Sequence, residues 1–361
     1  MLVVFRVDAS AQMGTGHVRR SLALAHALND IGAGIVFITR ALGVDSEGLI
    51  RGAGFKCITL PAPRAGGFTA DAKIAHAHWS KVSSDHDAEE TVSAAASLGP
   101  DWVVLDSYSF GAAWHDRVRD GLDCRIAQID DLADRPLACD LVIDHNYAPD
   151  HEAKYCKVLR NPTQLLGGPR YALLAPSYVD APLYDFSEEV HSVGVFMGGA
   201  DPDNFTARAL DALEQAGFTG DIEIVTTSAN PNLASLQERI GKRASATLSV
   251  DLLDLAGFFA RHDLHIGAGG GATWERCRIG SPTLAAICAD NQEAVLGPLE
   301  ALRVLDLHRC RPIDQSIMAQ EIWTLLGNPE HRANLSRGAR KLVDGQGARR
   351  VAQTMEAMSA S

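Results

Sequence analysis

The sequence of 361 residues lacks the features that mark several common protein classes. No apolar run reaches about 18 residues, the length that a transmembrane helix needs. The seven cysteines are odd in number and include no Cys-x-x-Cys pair, and most lie in apolar segments typical of buried free thiols. We therefore expect a cytoplasmic protein that is not inserted into a membrane.

Positive charge is also scarce in this chain. Lys and Arg number 33 against 45 Asp and Glu, which gives a formal net charge of −12 at pH 7. The basic residues are scattered, so the sequence lacks the basic patch of a nucleic-acid-binding protein. We expect no nucleic-acid partner, and an acidic ligand would need a site built from local groups.

The first glycine turn, Gly14-Thr15-Gly16-His17, lacks the residues of two well-known nucleotide-binding loops. No Gly-Lys-Ser/Thr follows, as a Walker A loop requires, and Arg19 and Arg20 stand where a dinucleotide-binding loop needs its third glycine. What remains is a histidine at the start of a helical pattern, where the positive end of the helix dipole disfavours protonation. A neutral imidazole there could act as a general base; the alternative is a plain tight turn with a surface histidine.

Short β-branched runs alternate with helical patterns along most of the chain, from LVVFRV at residue 2 to PTLAAI at residue 282. Strands separated by helices of this kind predict right-handed βαβ crossovers and parallel sheets. The chain length and the interruption over residues 173–190 predict two Rossmann-like, doubly wound α/β domains, residues 1–184 and 185–361. Ligands of such sheets bind beyond the carboxyl ends of the strands, so we expect the loops of both domains to face a central cleft.

Two glycine loops in the second half follow predicted strands and precede predicted helices. Gly198 and Gly199 lie in the first, and Gly269, Gly270 and Gly271 lie in the second. Glycine lets the backbone approach a phosphate closely, and the N–H groups at a helix start form an anion site. These loops therefore predict a phosphate-bearing ligand.

Acidic and amide side chains flank these loops, each with a structural alternative. Glu275 lies in the first turn after the second loop, where it could accept both hydroxyls of a ribose or simply favour the helix dipole. Asp201 could contact substrate or cap the next helix. Asn291 and Gln292 open a later helix, where paired amides could bind sugar hydroxyls, or Asn291 could serve as a cap.

Three softer candidate segments lie in the first half. Asp106 and Tyr108 follow the strand VVL, which points the phenol at the predicted cleft. Asp130 and Asp131 lie at the end of another strand, where acids are often caps or ion-pair partners, here of Arg135. His76 and His78 have the alternation of strand ligands but lack a convincing third ligand. We therefore expect no metal site there.

Six segments, taken in order, resemble the UDP-sugar hydrolase family of pseudaminic acid biosynthesis, the UDP-2,4-diacetamido-2,4,6-trideoxy-β-L-altropyranose hydrolases. They are RVDASAQMGTGHVRRSLALAHAL, DSYSFGAAWHDRVR, IAQIDDLADRPLACDLVIDHN, LLGGPRYALL, GVFMGGADPDNFT and GAGGGATWERCRIGSPTLAAICADNQ, and they run over roughly residues 3–300. Each glycine loop alone is a weak signal, whereas the ordered set is specific.

The resemblance implies a GT-B glycosyltransferase architecture, similar to the UDP-GlcNAc transferase that completes the peptidoglycan lipid precursor. It implies that His17 activates water, which attacks a UDP-linked 2,4-diacetamido-2,4,6-trideoxyhexose with inversion and without a metal or other cofactor. Thr273 and the nearby glycines would hold the diphosphate, Glu275 the ribose, and Leu252 would lie nearest the uracil. The complete set of expected UDP-sugar ligands is Arg6, Asp8, Gly14, Gly16, Tyr108, Gly198, Gly199, Asp201, Leu252, Gly269, Gly270, Gly271, Thr273, Glu275, Asn291 and Gln292.

Two departures from the family pattern bear on the choice of sugar. Leu137 stands where a histidine is expected before the Cys-Asp pair of CDLVID, and Ala175 stands where many members have arginine. Residues 61–90 and the tail beyond 300 carry no assignable motif. We expect a monomer, and the alternative activities are a glycosyltransferase, a hydrolysing UDP-HexNAc epimerase and a catalytically silent nucleotide-sugar sensor.

Overall fold

The computed structural model describes residues 1–64, 68–288 and 292–360. The chain divides into two compact units, one formed by Met1–Pro176 with Gln346–Ser361 and the other by Ser177–Gly345. We predicted a boundary after residue 184 and did not foresee the return of the C-terminal segment to the first unit. Among the described residues, no helix is both long and apolar enough to cross a membrane.

The first unit contains a parallel sheet in the order β3-β2-β1-β4-β5-β6-β7. Its strands are β1 (Leu2–Val7), β2 (Gly34–Arg40), β3 (Lys56–Leu60), β4 (Trp102–Asp106), β5 (Arg125–Ile129), β6 (Leu141–Asp144) and β7 (Gln164–Gly167). The strands are nearly continuous apolar runs, because helices cover both faces of a parallel sheet.

The helices of the first unit are numbered in chain order. They are α1 (Gly16–Asp30), α2 (Ser46–Gly52), α3 (Ser84–Ala95), α4 (Ala112–Leu122), α5 (His151–Tyr155) and the C-terminal α13 (Gly347–Ala360). Helix α13 packs on α1, and its Val351 and Met355 lie in the same apolar core as Leu24 and Leu28. The C-terminal helix thus completes the core of the first unit.

The second unit repeats this design with a parallel sheet in the order β10-β9-β8-β11-β12-β13. Its strands are β8 (Ser192–Phe196), β9 (Asp221–Thr226), β10 (Ala246–Val250), β11 (Leu264–Ala268), β12 (Thr283–Ala286) and β13 (Asp306–His308). Its helices are α6 (Phe205–Gln215), α7 (Leu233–Ile240), α8 (Ala256–Ala260), α9 (Ala272–Ile279), α10 (Glu293–Ala301), α11 (Gln315–Leu326) and α12 (Pro329–Leu342).

The strand order reverses once in each sheet, and the predicted loops lie at these reversals. In the first unit the reversal is between β1 and β4, and in the second it is between β8 and β11. A doubly wound sheet binds its ligands at such a switch point, beyond the carboxyl ends of the strands. The prediction of two doubly wound, parallel α/β domains is confirmed.

Candidate active site

His17 lies in the first turn of α1, directly after the glycine turn. Gly14 has φ of +70°, a conformation that glycine adopts without strain, and its N–H closes the turn on the carbonyl oxygen of Ser10 at 2.8 Å. The His17 side chain is largely buried, and its Nδ1 lies 2.5 Å from Oδ1 of Asp106, the last residue of β4. The short turn therefore sets a histidine against the end of the neighbouring strand.

The contact with Asp106 decides which nitrogen of the His17 ring carries the proton. A carboxylate only accepts hydrogen bonds, so Nδ1 donates to it, and in the neutral ring Nε2 keeps a free lone pair. Nε2 has no hydrogen-bond partner among the described residues, and this atom is not fully buried. The ring is thus arranged as an acceptor of a proton at Nε2.

Asp106 is held in its ionised form by several donors. Arg20 donates from Nε to Oδ2 at 2.7 Å and from Nη2 to Oδ1 at 2.6 Å, and the Ser21 hydroxyl donates to Oδ2 at 3.2 Å. Burial alone would raise the pKa of Asp106, but the charge and hydrogen bonds of Arg20 and His17 outweigh burial and lower that pKa well below its usual range. An ionised carboxylate therefore supports the imidazole.

Tyr108 packs edge-on against the His17 ring, with 4.7 Å between the ring centroids. Its hydroxyl donates to Oδ1 of Asp131 at 2.5 Å, and Asn146 Nδ2 donates to the other oxygen of Asp131 at 3.0 Å. Burial raises the pKa of Tyr108 well above its usual value, so the phenol is neutral. The structure therefore brings together His17 and Tyr108 of the predicted set and adds Asp131 and Asn146.

A second histidine, His145, lies close to this cluster and was missed by sequence reasoning. It is buried, and its Nδ1 has no hydrogen-bond partner within the described ranges. Burial lowers its pKa to about 4, and the positive charge of Arg20 acts in the same direction. His145 is thus a neutral ring, and the signal that could have found it is its place directly after β6, in the segment DHN.

The segment without an assignable motif supplies aromatic neighbours to the same cluster. The rings of His76 and Trp79 are tilted by 45° with 4.4 Å between their centroids, and the ring of Trp79 lies 6.1 Å from that of Tyr108. The Ser109 hydroxyl donates to the carbonyl oxygen of His76 at 3.0 Å and fixes this segment. Within the part of the chain that the structure describes, no group of three or more His, Cys, Asp or Glu is arranged to hold a metal ion.

Arg6 and Asp8 belong to a buried ion-pair network. All three nitrogens of the Arg6 guanidinium donate to carboxylates: Nε and Nη2 to Asp87 at 3.0 and 2.5 Å, and Nη1 to Asp8 at 2.5 Å. Asp8 also accepts from the backbone N–H of Arg40 at 2.7 Å. These contacts hold β1, β2 and α3 together and argue against the predicted contact of Arg6 and Asp8 with substrate.

In the second unit, the loop after β8 contains an accessible glycine and an aspartate that caps helix α6. A Cβ on Gly198, which has φ of +93°, would meet no atom within 4 Å, so the backbone is accessible there. The carboxylate of Asp201 accepts from the backbone N–H groups of Phe205 and Thr206 at 2.8 and 2.9 Å. Asp201 thus caps α6, which is the structural alternative to the predicted contact with substrate.

The loop after β11 leads into α9, which begins at Ala272. A Cβ on Gly270 or Gly271 would meet nothing within 4 Å, whereas at Gly269 it would collide with Leu296. Gly270 and Gly271 therefore leave room for a ligand above the helix N-terminus, and Gly269 serves packing.

The remaining candidates of the second unit lie around this loop. Glu275 is half-buried in the first turn of α9, near Tyr178, whose pKa is raised by burial and further by the charge of Glu275. Leu252 is half-buried beside Leu253, which is 94% exposed. The side-chain oxygen of Gln292 accepts from the backbone N–H of Cys288 at 2.8 Å. The predicted residue Asn291 lies outside the described residues.

Comparison with known proteins supports both the fold and the resemblance. No protein-family model matches the chain. The chain is 24% identical over 261 residues to the spore coat polysaccharide biosynthesis protein SpsG of Bacillus subtilis (strain 168), covering 71% of this chain and 76% of that protein. It is 23% identical over 256 residues to the UDP-2,4-diacetamido-2,4,6-trideoxy-β-L-altropyranose hydrolase of Campylobacter jejuni, covering 71% and 80%.

Solved structures match over nearly the whole length. MurG of Acinetobacter baumannii superposes with a TM-score of 0.66 at 14% identity, over 99% of both chains. UGT2 of Phytolacca americana, solved with UDP-2-fluoro-glucose and pterostilbene, superposes with a TM-score of 0.68 at 11% identity, over 100% of both chains. The resemblance inferred from the motifs is confirmed, and the fold is that of the GT-B glycosyltransferases.

Proposed function

We propose that the chain hydrolyses a UDP-linked 2,4-diacetamido-2,4,6-trideoxyhexose at its anomeric carbon, releasing UDP and the free sugar. The likeness to the Campylobacter jejuni hydrolase supports this substrate class. The observation that carries the proposal is the pairing of His17 with Asp106, which leaves Nε2 without a partner among the described residues. This is the arrangement that a general base needs.

In the proposed reaction, water attacks C1 of the sugar and His17 Nε2 takes the proton from that water. The bond between C1 and the diphosphate oxygen breaks, and the electron pair leaves with UDP. Attack from the face opposite the diphosphate gives the inverted sugar. The imidazolium that forms is stabilised by Asp106, which Arg20 keeps ionised in the ground state.

The second unit provides the groups that suit UDP in this proposal. The backbone of Gly270 and Gly271 is accessible at the N-terminus of α9, where N–H groups point at an anion. Such fixed dipoles stabilise the charge that develops on the departing diphosphate, so the proposed step does not require a divalent cation. Glu275 lies in the first turn of the same helix and would accept hydrogen bonds from the ribose hydroxyls.

Replacement of His17 tests the assignment of the base. Removal of a general base costs about 100- to 10,000-fold in rate, so His17→Ala should lose that much of kcat and still bind UDP with the affinity of the native protein. UDP release from the UDP-sugar gives the rate, and calorimetry gives the affinity. His26→Ala, a change on the same helix α1, is the matched control and should keep the native rate. A near-native rate for His17→Ala would refute the assignment.

A glycosyltransferase is the alternative activity, because two further proteins of similar fold, the glycosyltransferase VinC and the spinosyn rhamnosyltransferase SpnG, are sugar transferases. His17 would then deprotonate an acceptor hydroxyl instead of water. Incubation with the UDP-sugar alone separates the two: a hydrolase releases UDP in stoichiometric amounts, whereas a transferase awaits an acceptor. NMR of the product in heavy water, with a search for deuterium at C2, identifies an epimerase.

A further inference from the structure

Helix α9 carries a buried positive charge that the proposed reaction does not yet use. Arg276 is 2% exposed, and no carboxylate among the described residues forms an ion pair with it. Its Nε and Nη1 atoms have no hydrogen-bond partner in the part of the chain that the structure describes. Burial lowers the pKa of Arg276 to about 10, so the guanidinium is still protonated at neutral pH. A buried charge of this kind is costly unless something compensates it.

The guanidinium lies directly beneath the loop that precedes α9. Nη2 donates to the carbonyl oxygen of Ala268 at 2.8 Å, one residue before Gly269. A Cβ on Gly267 would collide with Nη1, so glycine at this position makes room for the arginine. The guanidinium, which has no ion-pair partner among the described residues, is therefore enclosed beneath the loop and does not lie on the protein surface.

Arg276 also sets the direction of a hydroxyl in the first turn of α9. Its Nη2 donates to Oγ1 of Thr273 at 3.3 Å, so that oxygen acts as an acceptor toward the arginine. Among the described residues nothing accepts the proton of the Thr273 hydroxyl. Thr273 is the second residue of α9, and the accessible backbone of Gly270 and Gly271 lies directly before the helix. Thr273 is 2% exposed, so its O–H is a buried donor in the first turn of α9 whose proton has no acceptor among the described residues.

We propose that Arg276 is a positioning residue for a diphosphate: it holds Thr273 as a hydroxyl donor to the ligand at the N-terminus of α9, and the ligand's negative charge compensates the guanidinium. This rests on the proposed function in that the ligand is the diphosphate of UDP. Arg276 does not touch the ligand, and its effect is transmitted through the Thr273 hydroxyl.

The test compares UDP with uridine, which lacks the phosphates. Arg276→Met and Thr273→Val should each weaken UDP binding about 10- to 100-fold, the range for loss of a hydrogen bond to a charged group, and leave uridine binding unchanged. The loss of UDP affinity in the double variant should be clearly smaller than the product of the two single losses, because both changes act on the same Thr273 hydroxyl. Calorimetry measures UDP, and ligand-observed NMR measures uridine.

Stability in the absence of ligand separates this role from a structural one. Arg276→Met removes a buried, unpaired charge and two unpartnered donors, so its melting temperature should be no lower than that of the native protein. Arg332→Met is the matched control, since Arg332 is also buried in the second unit but donates to the carbonyl oxygens of Leu325, Leu326 and Glu188. That control should lower the melting temperature and leave UDP affinity unchanged.

Each result has a defined meaning. Native UDP affinity in both Arg276→Met and Thr273→Val overturns the inference, and so does a double variant whose loss equals the product of the single losses. Failure of the native protein to bind UDP refutes the inference together with the proposed function. UDP binding that depends on Arg276, without any hydrolysis of a UDP-sugar, refutes the hydrolase alone.

Discussion

Replacement of Asp106 by asparagine keeps the size of the side chain and removes its charge, which makes it the sharpest test of the His17 arrangement. The carboxylate accepts from His17 and Arg20 on Oδ1, and from Arg20 and Ser21 on Oδ2. An amide offers one oxygen and one NH2 group, so in either orientation an N–H group faces the guanidinium of Arg20. The variant therefore loses hydrogen bonds as well as charge.

Two effects of Asp106→Asn follow, and their sizes differ. Breaking a buried ion pair by removing one partner costs about 3–5 kcal/mol of stability, and here Arg20 keeps only the longer contact with Asp131 at 3.5 Å, so we expect the lower end of that range. The imidazolium that forms in the transition state also loses its counter-charge, and we expect kcat to fall by at least about 100-fold, equivalent to about 2.7 kcal/mol. UDP affinity should not change, since the contacts of Asp106 are made with His17, Arg20 and Ser21 of the first unit, whereas the proposed UDP groups belong to the second.

The assay is UDP release from the UDP-sugar, with unfolding by urea as the measure of stability. Asp130→Asn is the matched control, because Asp130 is a buried carboxylate of the same unit that pairs with Arg135 at 2.7 Å and has no contact with His17. Both variants should lose stability, and only Asp106→Asn should lose kcat. Equal loss of kcat in both variants, or a kcat of Asp106→Asn within about threefold of native, would refute the reasoning.

Two further predictions concern the ribose and acid stability. Glu275→Ala should raise KM and weaken UDP binding more than it lowers kcat, because a ribose contact is made equally in the ground and transition states; unchanged UDP affinity by calorimetry would remove Glu275 from the site. The lowered pKa of Asp106 means that its ion pairs add stability above about pH 4, the pKa of an unfolded aspartate, and lose it as the pH falls further. Unfolding of Asp106→Asn should therefore depend less on pH below about 4 than that of the native protein, and parallel curves would contradict this.

Much of the fold can be predicted from the sequence because strands, glycine turns and helix starts are local patterns. The predicted runs at β1, β4, β8 and β11 all form strands, and the loops after β1, β8 and β11 carry the predicted glycines. The strands that escaped prediction are β3, β7 and β13, and each lies at an edge of its sheet. Edge strands are shorter or less buried, so the apolar pattern that marks a central strand is weaker in them.

The candidate site was predicted less completely, because its contacts join residues far apart in sequence. His17 was identified from its own neighbours in the chain, but its partner Asp106 is 89 positions away and was ranked as a soft candidate. His145 and the adjoining rings of His76 and Trp79 reach the same cluster only through the strand order and the packing of the loops. Strand order is a tertiary property that no local pattern encodes, so spatial neighbours of this kind require the structure.

The two units share a doubly wound topology, but they differ in the sign of one buried charge and in whether that charge has an ion-pair partner among the described residues. Next to His17 the buried charge is a carboxylate, and Arg20 already pairs with it, so the cluster is ready to stabilise one more positive charge on the imidazole. Beneath the loop of α9 the buried charge is Arg276, which is unpaired among the described residues, so that loop favours a negative ligand. One site is therefore suited to a forming cation and the other to a departing anion, and these are the two charges that develop when a base-activated water displaces a diphosphate.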